Sequence, residues 1–330
     1  MKAVVITRFG GPEVLEIQDV PAPQPGPEEV LVRVRGTALN RADLLQRLGR
    51  YAAPQGAPQN IPGLEFAGEV AVLGAKAQRW REGDRVMGIV AGGAHAEFVT
   101  THQDAVAVVP ANLEWSAAGG VPEVFITAHD ALRQADFKAG DNVLVHAVGS
   151  GVGLAATQLV KALDGRAFGT SRTPDKIERA KAFGLESGYE VPEPNALAKL
   201  SDFGKGVTGG RGFDVVLDLN GGPYFAASLE AMALGGRLIL IGGVAGGKAE
   251  IDLYQILGKR LHVIGTVMRA RSLEEKIATT AAFEQEVVPL LANGSIEPVI
   301  DSVFPLEQIQ DAHRRLESNE TFGKVVLTLS

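Results

Sequence analysis

Apolar residues recur along this chain in two rhythms, and the change from one to the other falls near residue 123. Up to about residue 120 they form short runs separated by turn residues: Ala3 to Thr7, Val14 to Ile17, Glu29 to Gly36, Glu65 to Leu73, Arg85 to Ile89, Ala96 to Thr100 and Ala105 to Val109. Strands at this spacing, punctuated by Pro and Gly, predict a strongly bent sheet or partial barrel. The run Pro21-Ala22-Pro23-Gln24-Pro25-Gly26-Pro27 is a stiff connector. It cannot join a central sheet, because proline lacks the amide that a ladder needs.

Beyond residue 123, continuous apolar strands alternate with helical segments. Strands are predicted at Val143 to His146, Arg166 to Thr170, Val215 to Leu219, Arg237 to Ile241 and Leu261 to Ile264. Helices are predicted at Leu154 to Leu163, Pro174 to Phe183, Pro223 to Ala233 and Leu253 to Lys259. This alternation implies an α/β fold with a doubly wound parallel sheet covered on both faces. From Leu273 to Leu291 the chain reads as a helix, and Val299 to Phe304 and Lys324 to Leu329 as strands with the rhythm of the first half. The tail is therefore expected to return to the first domain, giving domains of 1–123 with 268–330 and of 124–267, with a ligand-binding cleft between two lobes.

Composition narrows the functions. The net charge is −7 with no basic cluster, so neither nucleic acid nor anionic lipid is an expected partner. There is no cysteine, which excludes disulfides, thiolate zinc sites and a cysteine nucleophile. Met1-Lys2 leads straight into the first strand without the segments of a signal peptide, and no apolar run is long enough to span a bilayer. A soluble cytoplasmic protein is expected.

The strongest chemical signal follows the strand at Val143. There Ala147-Val148-Gly149-Ser150-Gly151-Val152-Gly153 forms a glycine turn that opens a helix. Amides and the positive helix end of such a turn face a nucleotide pyrophosphate, and missing side chains let the backbone approach it. Gly149, Gly151 and Gly153 alternate, which departs from the commonest dinucleotide spacing, but the strand–turn–helix–strand context is that of a βαβ unit. The second strand ends Gly169-Thr170-Ser171-Arg172, with no carboxylate before Asp175. An acidic residue there suits a ribose 2′-hydroxyl and an arginine a 2′-phosphate, so Ser171, Arg172 and Lys176 favour NADPH over NADH. The plainer alternative makes Arg172 and Lys176 an ordinary solvated helix start.

A resemblance runs nearly end to end. It is carried by Gly10-Gly11-Pro12-Glu13-Val14-Leu15, Ala38-Leu39-Asn40-Arg41-Ala42-Asp43-Leu44, Ile61-Pro62-Gly63-Leu64-Glu65-Phe66-Ala67-Gly68, Gly83-Asp84-Arg85-Val86, the glycine turn and Gly323-Lys324-Val325-Val326-Leu327. In combination these segments resemble the zinc-independent quinone oxidoreductases of the medium-chain dehydrogenase/reductase superfamily. Within it they look most like the branch typified by the p53-inducible quinone oxidoreductase. The resemblance implies a Rossmann domain for NADPH and a β-rich, GroES-like catalytic domain. It places Asn40, Asp43 and Tyr51 on the substrate side as the catalytic group, with Asn40 also near the cofactor, and Thr127 at the nicotinamide end. Leu240 to Val244, with Gly242, Gly243 and Val244, together with Val267 to Arg269 and Lys324, are implied along the cofactor. Tyr189 stands about two positions early for a tyrosine that helps hold the adenosine phosphate. From the residues alone, Asn40 and Asp43 are equally a helix cap, and Tyr51 equally loop packing.

Zinc-dependent relatives carry a metal-binding residue where Asn40 stands and a histidine where Leu64 stands. Neither asparagine nor leucine is a plausible zinc ligand. His95-Ala96-Glu97 has same-face spacing and is expected to be a solvent-facing strand edge, so no metal is expected. The implied reaction is hydride transfer from NADPH to a quinone. Reduction of activated C=C bonds in enals or enones, or a non-catalytic NADPH-binding role, are the alternatives. The apolar strand Leu261 to Ile264 is expected at a sheet edge, where pairing with a second copy would give a homodimer.

Overall fold

The computed structural model describes residues 1–329. Its strands are β1 Lys2–Ile6, β2 Leu15–Asp19, β3 Glu29–Ala38, β4 Glu65–Leu73, β5 Arg85–Ile89, β6 Phe98–His102, β7 Val106–Val108, β8 Asn142–Val145, β9 Arg166–Ser171, β10 Leu185–Glu190, β11 Phe213–Asp218, β12 Met232–Leu240, β13 His262–Gly265, β14 Ile300–Pro305 and β15 Lys324–Thr328. The chain forms two compact units, Met1–Ile126 with Met268–Ser330, and Thr127–Val267.

In the first unit β1 and β2 make a separate antiparallel pair, and a seven-stranded sheet runs β14-β15-β3-β4-β5-β7 with β6 also on β3. Strand β3 is the hinge of this sheet. Its first half pairs with β6, Glu29 to Arg33 against His102 to Phe98, and its end pairs with β15, Gly36 to Ala38 against Thr328 to Val326. Register shifts against β4 at Leu31/Val32 and Val34/Gly36 mark the bends, since a bulge sharpens the local twist and curls the sheet. Where β4 crosses β3 only glycine fits: a Cβ on Gly68 would lie 2.0 Å from the Arg33 carbonyl oxygen. Val30, Val32, Phe66, Val86 and Val106 fill one side, and Val4, Leu15, Leu39, Leu44, Ile309 and Val325 fill another.

The second unit is the doubly wound sheet that the apolar alternation predicts. Its six strands are all parallel in the order β10-β9-β8-β11-β12-β13. The order reverses between β8 and β11, the place where α/β sheets bind ligands beyond the carboxyl ends of their strands. β8 and β11 are buried along their whole length, which is why both read as continuous apolar runs. Leu144, Phe168, Leu200, Phe213, Val216, Leu229 and Leu238 form the core.

Several elements differ from the sequence expectation for identifiable reasons. Strand β10, Leu-Glu-Ser-Gly-Tyr-Glu, lies at a sheet edge and lacks an apolar run. The helix expected from Leu273 to Leu291 is two, Leu273–Glu286 and Val288–Ala292, because Pro289 cannot donate back into the preceding turn. Helices Pro122–Gln134, Leu200–Val207 and Ile309–Glu317 lie outside the elements that the sequence predicts. Among the described residues no helix is long and apolar enough to cross a membrane.

His146, at the end of β8, is fully buried between the hydroxyls of Thr170 and Ser228, each 2.8 Å from one ring nitrogen. Burial pushes its pKa down to about 4, and burial also lowers those of His95 and His313. Below the ordinary histidine value near 6.5 the unfolded chain therefore takes up protons that the folded chain refuses, so this contribution is complete above that pH and is lost as pH falls. The melting temperature is expected to decline between pH 7 and pH 5, and calorimetry should find that decline shallower in His146→Gln.

Candidate functional site

In the second unit the turn after β8 builds an anion cradle. Ala147 takes the left-handed conformation at φ 51°, its carbonyl accepts the Ser150 amide at 2.8 Å, and Val148 is tied to the Thr170 carbonyl at 2.9 Å. Ser150 caps the helix Gly151–Ala162 by accepting the Gly153 amide on Oγ at 3.1 Å. The Gly151 and Val152 amides have no acceptor within the helix and stand at its mouth with the positive dipole end. Glycine is obligatory at 153, where a Cβ would come within 2.5 Å of the Ala147 carbonyl oxygen and 2.8 Å of Val148 Cα. The Lys176 side chain lies over Gly149, within 2.9 Å of where a Cβ would be. A cradle that excludes side chains and leaves two amides and a lysine at a helix mouth fits a dinucleotide's phosphates.

Other residues expected along the cofactor also stand at the carboxyl ends of this sheet. Ser171 ends β9 and Arg172 follows it, close enough to Tyr224 for its charge to act on that phenol. A groove of about 590 Å³ follows β12 and β13, lined by Gly221, Gly242, Gly243, Lys248, Thr266 and Val267 among others. Val244, beside it, is exposed. The Thr127 hydroxyl is buried without a hydrogen-bond partner. Tyr189 is directed elsewhere: its hydroxyl donates to the Ala196 carbonyl at 2.7 Å and its ring packs on Phe203.

In the first unit Asn40, Asp43, Tyr51, Arg269 and Lys324 meet in one largely buried polar cluster. Lys324 Nζ donates to Glu65 Oε1 at 2.7 Å, Asn40 Oδ1 at 2.8 Å and the Leu39 carbonyl at 2.9 Å, which uses all three of its protons. Asn40 Nδ2 donates to Glu65 Oε1 at 2.9 Å, and Glu65 Oε2 accepts the Glu123 amide at 2.8 Å. Asn40 is also the N-cap of helix Arg41–Arg47, as the cap reading expects, and its side chain still joins the cluster.

Three expected roles need correction. Asp43, expected on the substrate side, is sealed: Oδ2 accepts the Asn40 amide at 2.8 Å and Oδ1 the Gly63 amide at 3.0 Å. Arg269 and Lys324, expected along the cofactor, donate inward within their own unit. The Arg269 guanidinium bonds Gln46 Oε1 at 2.6 Å, the Ala91 carbonyl at 2.7 Å and the Tyr51 carbonyl at 3.3 Å, and lies 5.0 Å over the Tyr51 ring. Arg269 is thus a strut of the loop that carries Tyr51. His95 is likewise no solvent-facing strand residue. It is fully buried ahead of β6, with Nε2 3.4 Å from the Ala38 carbonyl. Among the described residues no group of three or more histidine, cysteine, aspartate or glutamate side chains is placed to hold a metal ion.

Two further residues of the cluster, Glu65 and Glu123, are not marked as site residues by any motif. Glu65 opens β4, in a segment that carries the resemblance without implying a role for this carboxylate. Glu123 is the single carboxylate in the apolar stretch Ala117 to Ala128, which was its only signal. Burial, reinforced by the Glu65 charge, pushes the Glu123 carboxyl up to about 8. Burial also raises the Tyr51 phenol, against the pull of the Arg269 charge.

Comparison with known proteins agrees with this architecture. Residues 26–134 match the alcohol dehydrogenase GroES-like domain, and residues 195–327 match the zinc-binding dehydrogenase domain. A quinone oxidoreductase of Lama guanicoe is 32% identical over 100% of this chain and 98% of its own. One of Pseudomonas aeruginosa is 31% identical over 99% of each chain. Among solved structures, a mycobacterial protein complexed with NADPH superposes with a TM-score of 0.86 at 30% identity, covering 100% of both chains. The chain is an oxidoreductase of the medium-chain dehydrogenase/reductase superfamily, built for a nicotinamide cofactor. Within that class it belongs to the quinone oxidoreductase family.

Lys324 and Glu65 are 5% and 0% exposed, so removing one charge strands the other away from water. Lys324→Met is expected to destabilise the protein by about 3–5 kcal/mol, measured by urea denaturation at pH 7. A cost below about 1 kcal/mol would mean that the cluster is wetter than its geometry indicates.

Proposed function

We propose that this protein is a metal-free NADPH-dependent quinone reductase. The observation that carries the reading is the Lys324 ammonium held between Asn40 Oδ1 and Glu65 Oε1. Where zinc-dependent relatives hold a metal, this chain offers an asparagine, a leucine at 64 and a built-in cation already bonded to the neighbouring carboxylate. A quinone suits such a site because it accepts hydride without Lewis-acid activation.

The bound nicotinamide would supply the hydride; the chain's own residues bind, orient and exclude water. The Gly151 and Val152 amides hold the phosphates, and Asn40, fixed on both halves of its amide, presents a rigid wall on the substrate side. Tyr51, kept in place by Arg269, offers a phenol that stays protonated at neutral pH and so acts as a hydrogen-bond donor. The choice of NADPH is supported by Arg172 and Lys176 in a strand end that lacks a carboxylate.

Steady-state assays with 1,2- and 1,4-quinones are expected to show NADPH oxidation, and silence with every quinone would remove this reading. Deuterated cofactor separates it from alkene reduction, which leaves deuterium on carbon. Arg172→Ala is expected to weaken NADPH about 10- to 100-fold, the worth of a charge-assisted bond, and to leave NADH nearly unchanged.

We also propose a homodimer paired through β13, the edge strand of the parallel sheet. Val263 on this strand is exposed, and the neighbouring helix Leu253–Lys259 exposes Leu253, Tyr254 and Leu257. An apolar edge of this kind is a template for pairing with its own copy. Light scattering after size exclusion should report a dimer at micromolar concentration and a monomer for Val263→Lys; a monomeric parent protein would contradict the proposal.

A further inference from the structure

We propose that Glu123 is the acid that protonates the reduced substrate, an inference that rests on the quinone reductase reading above. Glu123 sits in the first turn of the helix Pro122–Gln134, and its amide is anchored to Glu65 Oε2 at 2.8 Å, beside the Asn40–Glu65–Lys324 group. Its own Oε2 is buried and has no hydrogen-bond partner, while the residue as a whole stays partly exposed. Native structures rarely leave a buried carboxyl oxygen unsatisfied, and a substrate oxygen is the partner that this position lacks.

The cations nearby are already engaged. The three Lys324 protons go to Leu39, Asn40 and Glu65, and the Arg269 guanidinium to Gln46, Ala91 and Tyr51. The groups that act on Glu123 are Glu65 and Asp43, which oppose its ionisation, and Lys324 and Arg269, which favour it; the Tyr51 phenol senses it in turn. Burial and Glu65 prevail, so the carboxyl keeps its proton through neutral pH and releases it near pH 8. Tyr51 is the other acid of the cluster, and its pKa lies above the ordinary phenol value.

The matching of acidities favours Glu123. Hydride brings two electrons and one hydrogen to the quinone and leaves a hydroquinone monoanion, whose oxygen has a proton affinity like that of a phenol, with a pKa near 10. The Glu123 O–H bond then breaks, its electron pair stays on the carboxylate, and the proton forms the second O–H bond of the hydroquinone. Water returns a proton to Glu123 before the next turnover. A donor of pKa about 8 is stronger than the phenol it serves and still largely protonated at pH 7.

Two measurements test this on the whole protein. Infrared difference titration of the ligand-free protein is expected to show a protonated-carboxyl band that fades near pH 8 and is missing from Glu123→Gln. In single-turnover reduction of a 1,4-benzoquinone the parent rate is expected to fall above pH 8. Glu123→Gln should lose that alkaline limb and be slower by about 100-fold at pH 7, with its NADPH dissociation constant within twofold of the parent's. If Glu123→Gln does not fold, Glu123→Asp is expected to keep the limb at a shifted midpoint. A carboxyl already ionised at pH 6, or an active variant with the parent's pH profile, overturns the role of Glu123 alone. Absence of NADPH oxidation with every quinone takes down the functional reading and this inference together.

Discussion

A buried ammonium organises the first unit. Lys324 comes from the last strand, Glu65 from the start of β4, and Leu39 and Asn40 from the link just after β3, so the three bonds of one side chain join segments about 260 and 285 residues apart in sequence. β15 pairs antiparallel with β3, Val326 opposite Ala38, and this register sets Lys324 beside Asn40. Placing two charges in such a position costs desolvation energy that a single Coulomb contact does not offset. The geometry compensates by saturation: every proton of Lys324 has an acceptor, and both oxygens of Glu65 have donors, Lys324 and Asn40 on one and the Glu123 amide on the other. The cluster is thus a closed network, and a closed network imposes one arrangement on its members.

That constraint explains why Asn40 is both a helix cap and a member of the buried cluster. A helix start needs an acceptor-rich residue that leaves its own amide available, and Asn40 meets the need through its backbone, whose N–H goes to Asp43 Oδ2 at 2.8 Å. Its side-chain amide remains for Lys324 and Glu65. An aspartate there would set a second carboxylate against Glu65, and a serine would not reach both partners. The requirement for a donor and an acceptor on one short planar group selects asparagine. Asp43, which the same motif presents as a companion, is instead the fixed end of the capping pair, with backbone amides on both oxygens.

How much of this was legible in the chain depends on whether the cause is local. β8 and β11 are covered on both faces, so their apolar runs announce them, and the turn between Val145 and Gly151 carries its glycines in sequence order. β10 was invisible because an edge strand needs no apolar run, and the break at Pro289 was hidden inside a helical period that continues on both sides of it. Family resemblance points to Asn40, Asp43, Tyr51, Arg269 and Lys324, but their partners are not legible in the chain. Arg269, Gln46 and Tyr51 are separated by up to 223 residues, and nothing in the spacing says that the guanidinium turns inward. Glu123 has no motif at all; only its solitude among apolar residues distinguishes it, and that property acquires meaning when the buried Glu65 carboxylate is placed beside it.

The second unit solves a different problem with different material. Its groove after β12 and β13 is lined largely by backbone: Gly221 and Gly246 bridge each other, and a Cβ on Gly242 would lie 2.7 Å from the Leu219 carbonyl oxygen. A surface made of peptide groups can follow the contour of a long ligand closely, but every peptide group presents the same donor and acceptor. Discrimination between chemically similar ligands therefore has to come from side chains: Lys248 lines this groove, and Arg172 and Lys176 follow the end of β9, which has no carboxylate. The main chain thus shapes this unit's groove, and charged side chains stand at only a few positions beside it.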